Sequence, residues 1–372
     1  MKKIIIAFFV ALAAFFSIVL PIGLLSKTDD SDFKVAMVTD FSDVNDASFN
    51  QLCYEGGKEW GKANNITFNY YKPTGLSNAE RIKAITLAID RGYDVILCPG
   101  FAFGETLAEV APKFPDTKFI GIDISESDFP KGFVIPDNVA IYNYHEEIAG
   151  YLAGYAAVKE GFVNLGYLGG MEAASVIRFG YGYAQGVDAA ATELQRKVKL
   201  QYVYGGQFFG DSDINIYMDN WYKTGTEIVF SCGGSIYTSV ALAAKENGGY
   251  MIGVDTNQAP IIDRDYKEGI CITSAMKGIK QTVIDKLDEY YRDNSSWESG
   301  FNYLGLISSE HPEDNFVQLP LEDWRMKNFS VEDYKALIKD IMDGKKVISS
   351  DTSEEPKVNE EYTNFIPQGS IK

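Results

Sequence analysis

The chain has 372 residues, with 34 Lys and Arg against 52 Asp and Glu, and a formal net charge of −18. At 46% hydrophobic and 23% charged residues it is neither disordered nor fibrous. The acidic balance repels phosphate backbones and argues against nucleic-acid binding, and the two histidines, His145 and His311, exclude a His-rich metal centre and weaken any His-based triad. At roughly 150 residues per domain, the length suggests two domains or lobes.

Met1-Lys2-Lys3 is a basic start, Ile4–Leu25 carries no charge, and Asp29, Asp30 and Asp32 follow. A bilayer span needs about 20 apolar residues, and a signal-peptide core is nearer 7–15. Cleavage at the Ala-x-Ala site, Ala11–Ala13, would leave Ala14–Leu25 as an exposed apolar stub. Residues 1–26 therefore read as an uncleaved signal anchor, with the rest of the chain outside the cytoplasm.

From residue 33, short apolar runs alternate with helical patterns. Strands are predicted at Lys34–Thr39, Ile66–Tyr71, Val95–Cys98, Lys118–Ile122 and Val139–Tyr144. Helices are predicted at 48–62, 79–90, 105–114 and 146–159. The pattern restarts with strands at Asn164–Leu168, Val198–Tyr204, Ile228–Ser231, Met251–Val254 and Ile270–Ser274. Helices at 174–194, 213–223, 235–247 and 278–292 separate or follow these strands, and a last helix at 331–343 has Ser330 as its N-cap. Two such blocks imply two parallel sheets with helices on both faces, with ligands bound beyond the carboxyl ends of the strands.

Those ends carry Asp40, Phe49-Asn50, Gly100-Phe101, Phe208-Phe209, Gly233-Gly234, Asp255 and Lys277. The set holds aromatic faces, carboxylates and one ammonium, with no nucleophile–base pair. No GxSxG or Walker A sequence occurs. His145-Glu146-Glu147-Ile148-Ala149 lacks the second His of a zinc motif, and Gly180–Gly186 misses a dinucleotide fingerprint by one residue inside a helical pattern. Cys53, Cys98, Cys232 and Cys271 form no metal spacing. Three disulfide pairings are open to them, and their apolar neighbours favour buried thiols.

The runs Val35–Asp40 and Asn45–Gln51 resemble the opening of the basic membrane protein (BMP) family, extracytoplasmic substrate-binding proteins of ABC importers whose characterised members bind purine nucleosides. Tyr151–Ala157, Gly166–Met171, Ile252–Gln258 and Thr273–Lys277 are similar to later segments of that family, in the same order. The resemblance implies a type I periplasmic-binding-protein fold, an α/β architecture of two doubly wound parallel-sheet lobes joined by a three-strand hinge. The lobes would take residues 33–145 with about 259–310, and 146–258 with about 311–345, leaving 346–372 as a loose acidic tail. It implies that Phe49 and Phe209, with Phe208 beside it, sandwich the purine. Asp40, aided by Ser48 or Asn50, would bond the base edge. Asp255, supported by Lys277, would take the ribose hydroxyls, and Gly233 and Gly234 would let backbone approach the sugar. It implies no cofactor or metal, a purine nucleoside as ligand and an ABC permease as partner. Two departures stand out: no Cys follows the signal for lipidation, and Asn257 stands where a second acid is common. A sensory receptor of the same fold, a binder of a sugar or free nucleobase, and a nucleoside hydrolase are the alternatives. Protein lacking residues 1–26 is expected to be soluble and folded; aggregation of that protein, with the full chain stable in detergent, would place the segment in the core.

Overall fold

Apolar runs bounded by Gly, Asp or Ser become strands buried on both faces, as parallel strands under helices must be. The computed structural model describes residues 33–40 and 43–372. The segment 1–26, read above as a signal anchor, lies outside the described residues; among those described, no helix is long and apolar enough to cross a membrane.

The first lobe runs β1 (Lys34–Val38), α1 (Phe49–Asn64), β2 (Thr67–Tyr71), α2 (Asn78–Asp90), β3 (Val95–Pro99), α3 (Phe103–Val110), β4 (Lys118–Ile122) and β5 (Val139–Tyr144). The second runs α4 (Glu146–Glu160), β6 (Asn164–Gly169), α5 (Ala174–Glu193), β7 (Val198–Tyr204), α6 (Ser212–Lys223), β8 (Ile228–Cys232), α7 (Tyr237–Asn247), β9 (Tyr250–Asp255), α8 (Ala259–Asp265) and β10 (Cys271–Lys277). The chain then returns through α9 (Ile279–Arg292), which packs on α1, and β11 (Gly300–Leu304). It ends with β12 (Val317–Gln318), α10 (Val331–Met342) and β13 (Thr363–Ser370).

The sheet orders are β11-β5-β4-β3-β1-β2 and β12-β10-β9-β8-β6-β7-β13. Among the described residues, every pairing is parallel except β10 with β12. Apart from β13, the second order repeats the first, strand for strand. The chain passes between the sheets after Tyr144, after Lys277 and between Leu304 and Val317, which is the three-strand hinge. Ser330 caps α10 as expected: its hydroxyl accepts from the Asp333 amide at 3.1 Å, and Asp333 reaches back to the Ser330 amide at 3.0 Å.

The expected lobe boundaries need two corrections. Residues 259–277 belong with the second sheet, because β10 pairs with β9 (Ser274 opposite Gly253) before the chain crosses. A strand–helix–strand succession stays in one sheet unless something interrupts it. The acidic end of the chain is docked rather than loose. Ser349 exchanges backbone bonds with the Gln185 amide at 2.9 and 3.0 Å, and the Asn359 amide donates to Asp188 at 2.9 Å. β13 then covers the edge of β7 that would otherwise be unpaired.

Helices α4 and α5 approach through glycines. A Cβ at Gly182 or Gly186 would collide with the carbonyls of Glu147 or Tyr151, and one at Gly150 or Gly154 with those of Phe179 or Tyr183. The glycine run 180–186 thus serves helix packing rather than a phosphate loop. All four cysteines are free and buried. Gly182→Ala should lower unfolding free energy by about 1–3 kcal/mol through overpacking, read by urea titration; unchanged stability would mean that the helices separate without cost.

Candidate functional site

The carboxyl ends of both sheets face each other across a cleft of about 570 Å³, counted out to its open mouth. The void enclosed within it is about 70 Å³, well below the roughly 300–1,000 Å³ of open small-ligand sites.

From the first lobe, Asp40 stands just beyond β1, buried, with Asn50 Nδ2 at 3.4 Å from its Oδ1. Gly100 makes room for it: a Cβ there would lie 3.1 Å from Asp40 Oδ2, and its φ is +105°. The Asp46 carboxylate accepts from the amides of Ser48, Asn50 and Gln51 at 3.0–3.1 Å and so closes the N-terminus of α1. This fixes Phe49, the first residue of that helix, at the cleft wall. Burial pushes the Asp46 carboxyl up, and those same amides oppose the shift.

Lys277 ends β10 at the second crossing and is 5% exposed. Its ammonium pairs with Asp123 of the first lobe, stands 3.6 Å from Asp255 Oδ1 of the second, and lies 3.7 Å from Glu146 Oε1 on the first crossing. It also lies over the rings of Phe49, Phe179 and Tyr144 at 5.1, 5.4 and 5.6 Å. Burial works against this charge, yet Asp123, Asp255 and Glu146 outweigh it and raise the lysine's pKa. Burial pushes the Asp255 carboxyl up, with Lys277 and Ser48 pulling it back. Ser48 Oγ donates to Asp255 Oδ2 at 2.5 Å, a direct bond between the lobes. Gln258 Nε2 adds another, to the Ala47 carbonyl at 3.2 Å. Behind them Arg178 Nε donates to Glu146 Oε2 at 2.5 Å.

The structure brings Asp40, Phe49, Asn50, Gly233, Gly234, Asp255 and Lys277 to one cleft. Two expected placements are corrected. Phe209 is 57% exposed and lies outside the cleft wall; Phe208 lines the cleft instead, its ring centroid 6.4 Å from that of Phe101 in the opposite lobe. Ser48 reaches Asp255 rather than Asp40, because the first turn of α1 points the two side chains apart. Gly233 also has a different use. A Cβ on it would meet the Phe208 ring at 2.8 Å, so it makes a bed for that ring. Asn257 stands ahead of α8 and accepts from the Ala259 amide at 3.2 Å.

Phe101 stands at a strand end as expected, whereas Asp123, Glu146, Arg178 and Phe179 were not anticipated as site residues. Asp123 had a signal in the sequence. Ile120-Gly121-Ile122-Asp123 and Ile252-Gly253-Val254-Asp255 repeat one pattern. Both aspartates follow or end equivalent strands, with left-handed φ of +55° and +65°, and both turn their carboxylates to Lys277.

Such a site is built to bind. It offers ring faces, buried acceptors including the unpaired Asn50 Oδ1 and Asp123 Oδ1, and groups from both lobes. Fold and cleft together define a two-lobed solute-binding protein. The chain belongs to the Bmp family, the PnrA-like ABC transporter substrate-binding proteins, whose family model matches residues 33–339. It is a substrate-binding protein, not an enzyme. It is 28% identical over 340 residues to the ABC transporter nucleoside-binding protein BmpA of Lactococcus lactis subsp. cremoris, covering 86% of this chain and 90% of that one. It is 29% identical over 217 residues to basic membrane protein B of Borrelia garinii subsp. bavariensis, covering 56% and 59%. The fold resembles that of an ABC transporter solute-binding protein from Aeropyrum pernix K1, with a TM-score of 0.67, 20% identity and coverage of 86% and 88%.

Burial pushes the Glu146 carboxyl up to about 7, and the bond to Glu147 raises the His145 imidazole. Both shifts mean that the folded chain holds protons the unfolded chain has released. Stability from both is full at low pH and declines as pH rises, across 4.5 to about 7 for Glu146. Unfolding free energy should fall by a few kcal/mol over that window, at about 1.4 kcal/mol for each tenfold drop in proton concentration. Glu146→Gln should flatten the fall in denaturant titrations at several pH values; an identical slope in the variant would assign it elsewhere.

Proposed function

We propose that this protein is the extracytoplasmic binding component of an ABC importer and captures a purine nucleoside between its lobes. The observation that carries this reading is the chemistry of the cleft. The Phe49 and Phe208 rings belong to opposite lobes, and among the described residues four carboxylates line the wall with the single ammonium of Lys277. Aromatic faces hold a base for about 1–3 kcal/mol each and tolerate its identity. Asp40, steadied by Asn50, accepts from ring or amino N–H groups. Asp255 accepts from a vicinal diol. The Lactococcus lactis relative is named a nucleoside-binding protein, which supports the same reading. The excess of carboxylates makes a poor home for a phosphate dianion, so a nucleoside fits better than its monophosphate.

Binding would act by closure. A ligand that touches Phe49 and Asp40 in one lobe and Phe208 and Asp255 in the other has differential affinity for the closed form, which a permease then recognises. The uncharged stretch Ile4–Leu25 would hold the protein at the membrane, consistent with the membrane-protein name of the Borrelia relative.

Calorimetry with inosine and guanosine tests the reading. Phe49→Ala, Phe208→Ala and Asp255→Ala should each weaken binding about tenfold or more, a loss of about 1.4 kcal/mol. Phe209→Ala should change it little, and inosine monophosphate should bind at least about tenfold more weakly than inosine. Failure of every purine nucleoside to bind, with a sugar or free base binding instead, would refute the ligand class; release of free base from inosine would refute a binding-only role.

A further inference from the structure

The family match ends at residue 339, yet the last residues of the chain reach the loop that carries Phe208. β13 pairs with β7 to the end of both strands, with Ser370 opposite Tyr204, and Ile371 and Lys372 continue beyond. The Ile371 amide donates to the Tyr204 carbonyl at 2.8 Å, and the Ser370 hydroxyl lies 3.4 Å from the same oxygen. Lys372 then packs on Gly206, where a Cβ would lie 3.1 Å from the lysine's own and where φ is +76°. The Lys372 ammonium pairs with the Asp211 carboxylate. Asp211 also takes the Asp213 and Ile214 amides at 3.1 Å, which starts α6, and Gln207 Nε2 at 2.8 Å.

Residues 370–372 therefore hold both ends of the loop 205–211. None of the three lines the cleft. Phe208 sits between the two anchors, its carbonyl accepting from the Ser235 amide at 2.9 Å.

We propose that the end of the chain is a strap that positions the Phe208 ring and so sets how long a ligand stays stacked in the cleft. A loop pinned at both ends has less freedom to lose when its ring closes on a ligand, and preorganisation of this kind appears as slower dissociation. The strap's effect on ligand rests on the reading of Phe208 as a stacking residue. The Lys372–Asp211 pair is partly exposed and weak by itself, so the decisive variant removes all three residues while leaving the pairing of Thr363–Pro367 with β7 intact.

The test compares the full chain, a chain lacking residues 370–372, and Lys372→Arg, using hydrogen exchange without ligand, stopped-flow with inosine and urea unfolding. Removal should speed exchange across 204–211 and inosine dissociation by at least about threefold, with association and the unfolding midpoint unchanged. Lys372→Arg should match the full chain. Unchanged exchange at 204–211 overturns the strap. Faster exchange with unchanged inosine dissociation overturns the positioning role, and faster exchange spread over the whole second sheet reduces the segment to an ordinary edge strand and overturns it too. If the full chain binds no inosine, the nucleoside reading fails, and the exchange result by itself decides the strap.

Discussion

The arrangement of the cleft depends on one buried ammonium. Lys277 lies where the chain passes from the second sheet to the first, and the carboxylates that face it come from both lobes and from the first crossing. A lysine this deep would be costly if unpaired, since several kcal/mol of hydration must be replaced. Here three acids and three ring faces replace it. The acids need the lysine equally, because Asp123 and Asp255 would otherwise be like charges crowded into a closing space. The group thus favours the lobes together and keeps their relative placement specific.

The repeat of sheet order explains why the acids converge. Each lobe ends its fourth strand in sequence order with Ile-Gly-Ile-Asp or Ile-Gly-Val-Asp, and in each the aspartate takes a left-handed backbone that turns its carboxylate into the cleft. Related lobes facing across a cleft bring equivalent strand ends together. The pseudo-symmetry is broken where recognition needs it. Lys277 exists only on the second side, Asp46 closes the helix at Phe49 on the first, and β13 is added beside β7 on the second.

Electrostatics also shape what the cleft accepts. Carboxylates line it in excess, and the lining ammonium of Lys277 is engaged by three of the protein's own acids. On the proposed nucleoside reading, this chemistry suits a neutral ligand rich in N–H and O–H donors and flat enough to lie against a ring. Glu146 and Arg178, just behind, complete the charge balance of the crossing without facing the opening.

Local pattern determined much of this in the sequence alone. Runs such as Val95–Leu97 and Ile228–Phe230 announce strands buried on both faces, and strand ends announce where Asp40, Phe49, Asp255 and Lys277 gather, because burial and strand period are properties of a few neighbouring residues. Tertiary structure alone decided the rest. No local rule separates Phe208 from Phe209, since a loop has no period and only the glycine bed beneath the ring selects between them. Phe365 and Ile366 lie in a stretch too polar to read as a strand until β7 offers an edge. The side on which α8 and β10 fall depends on pairing with β9, a contact between distant residues that composition does not carry.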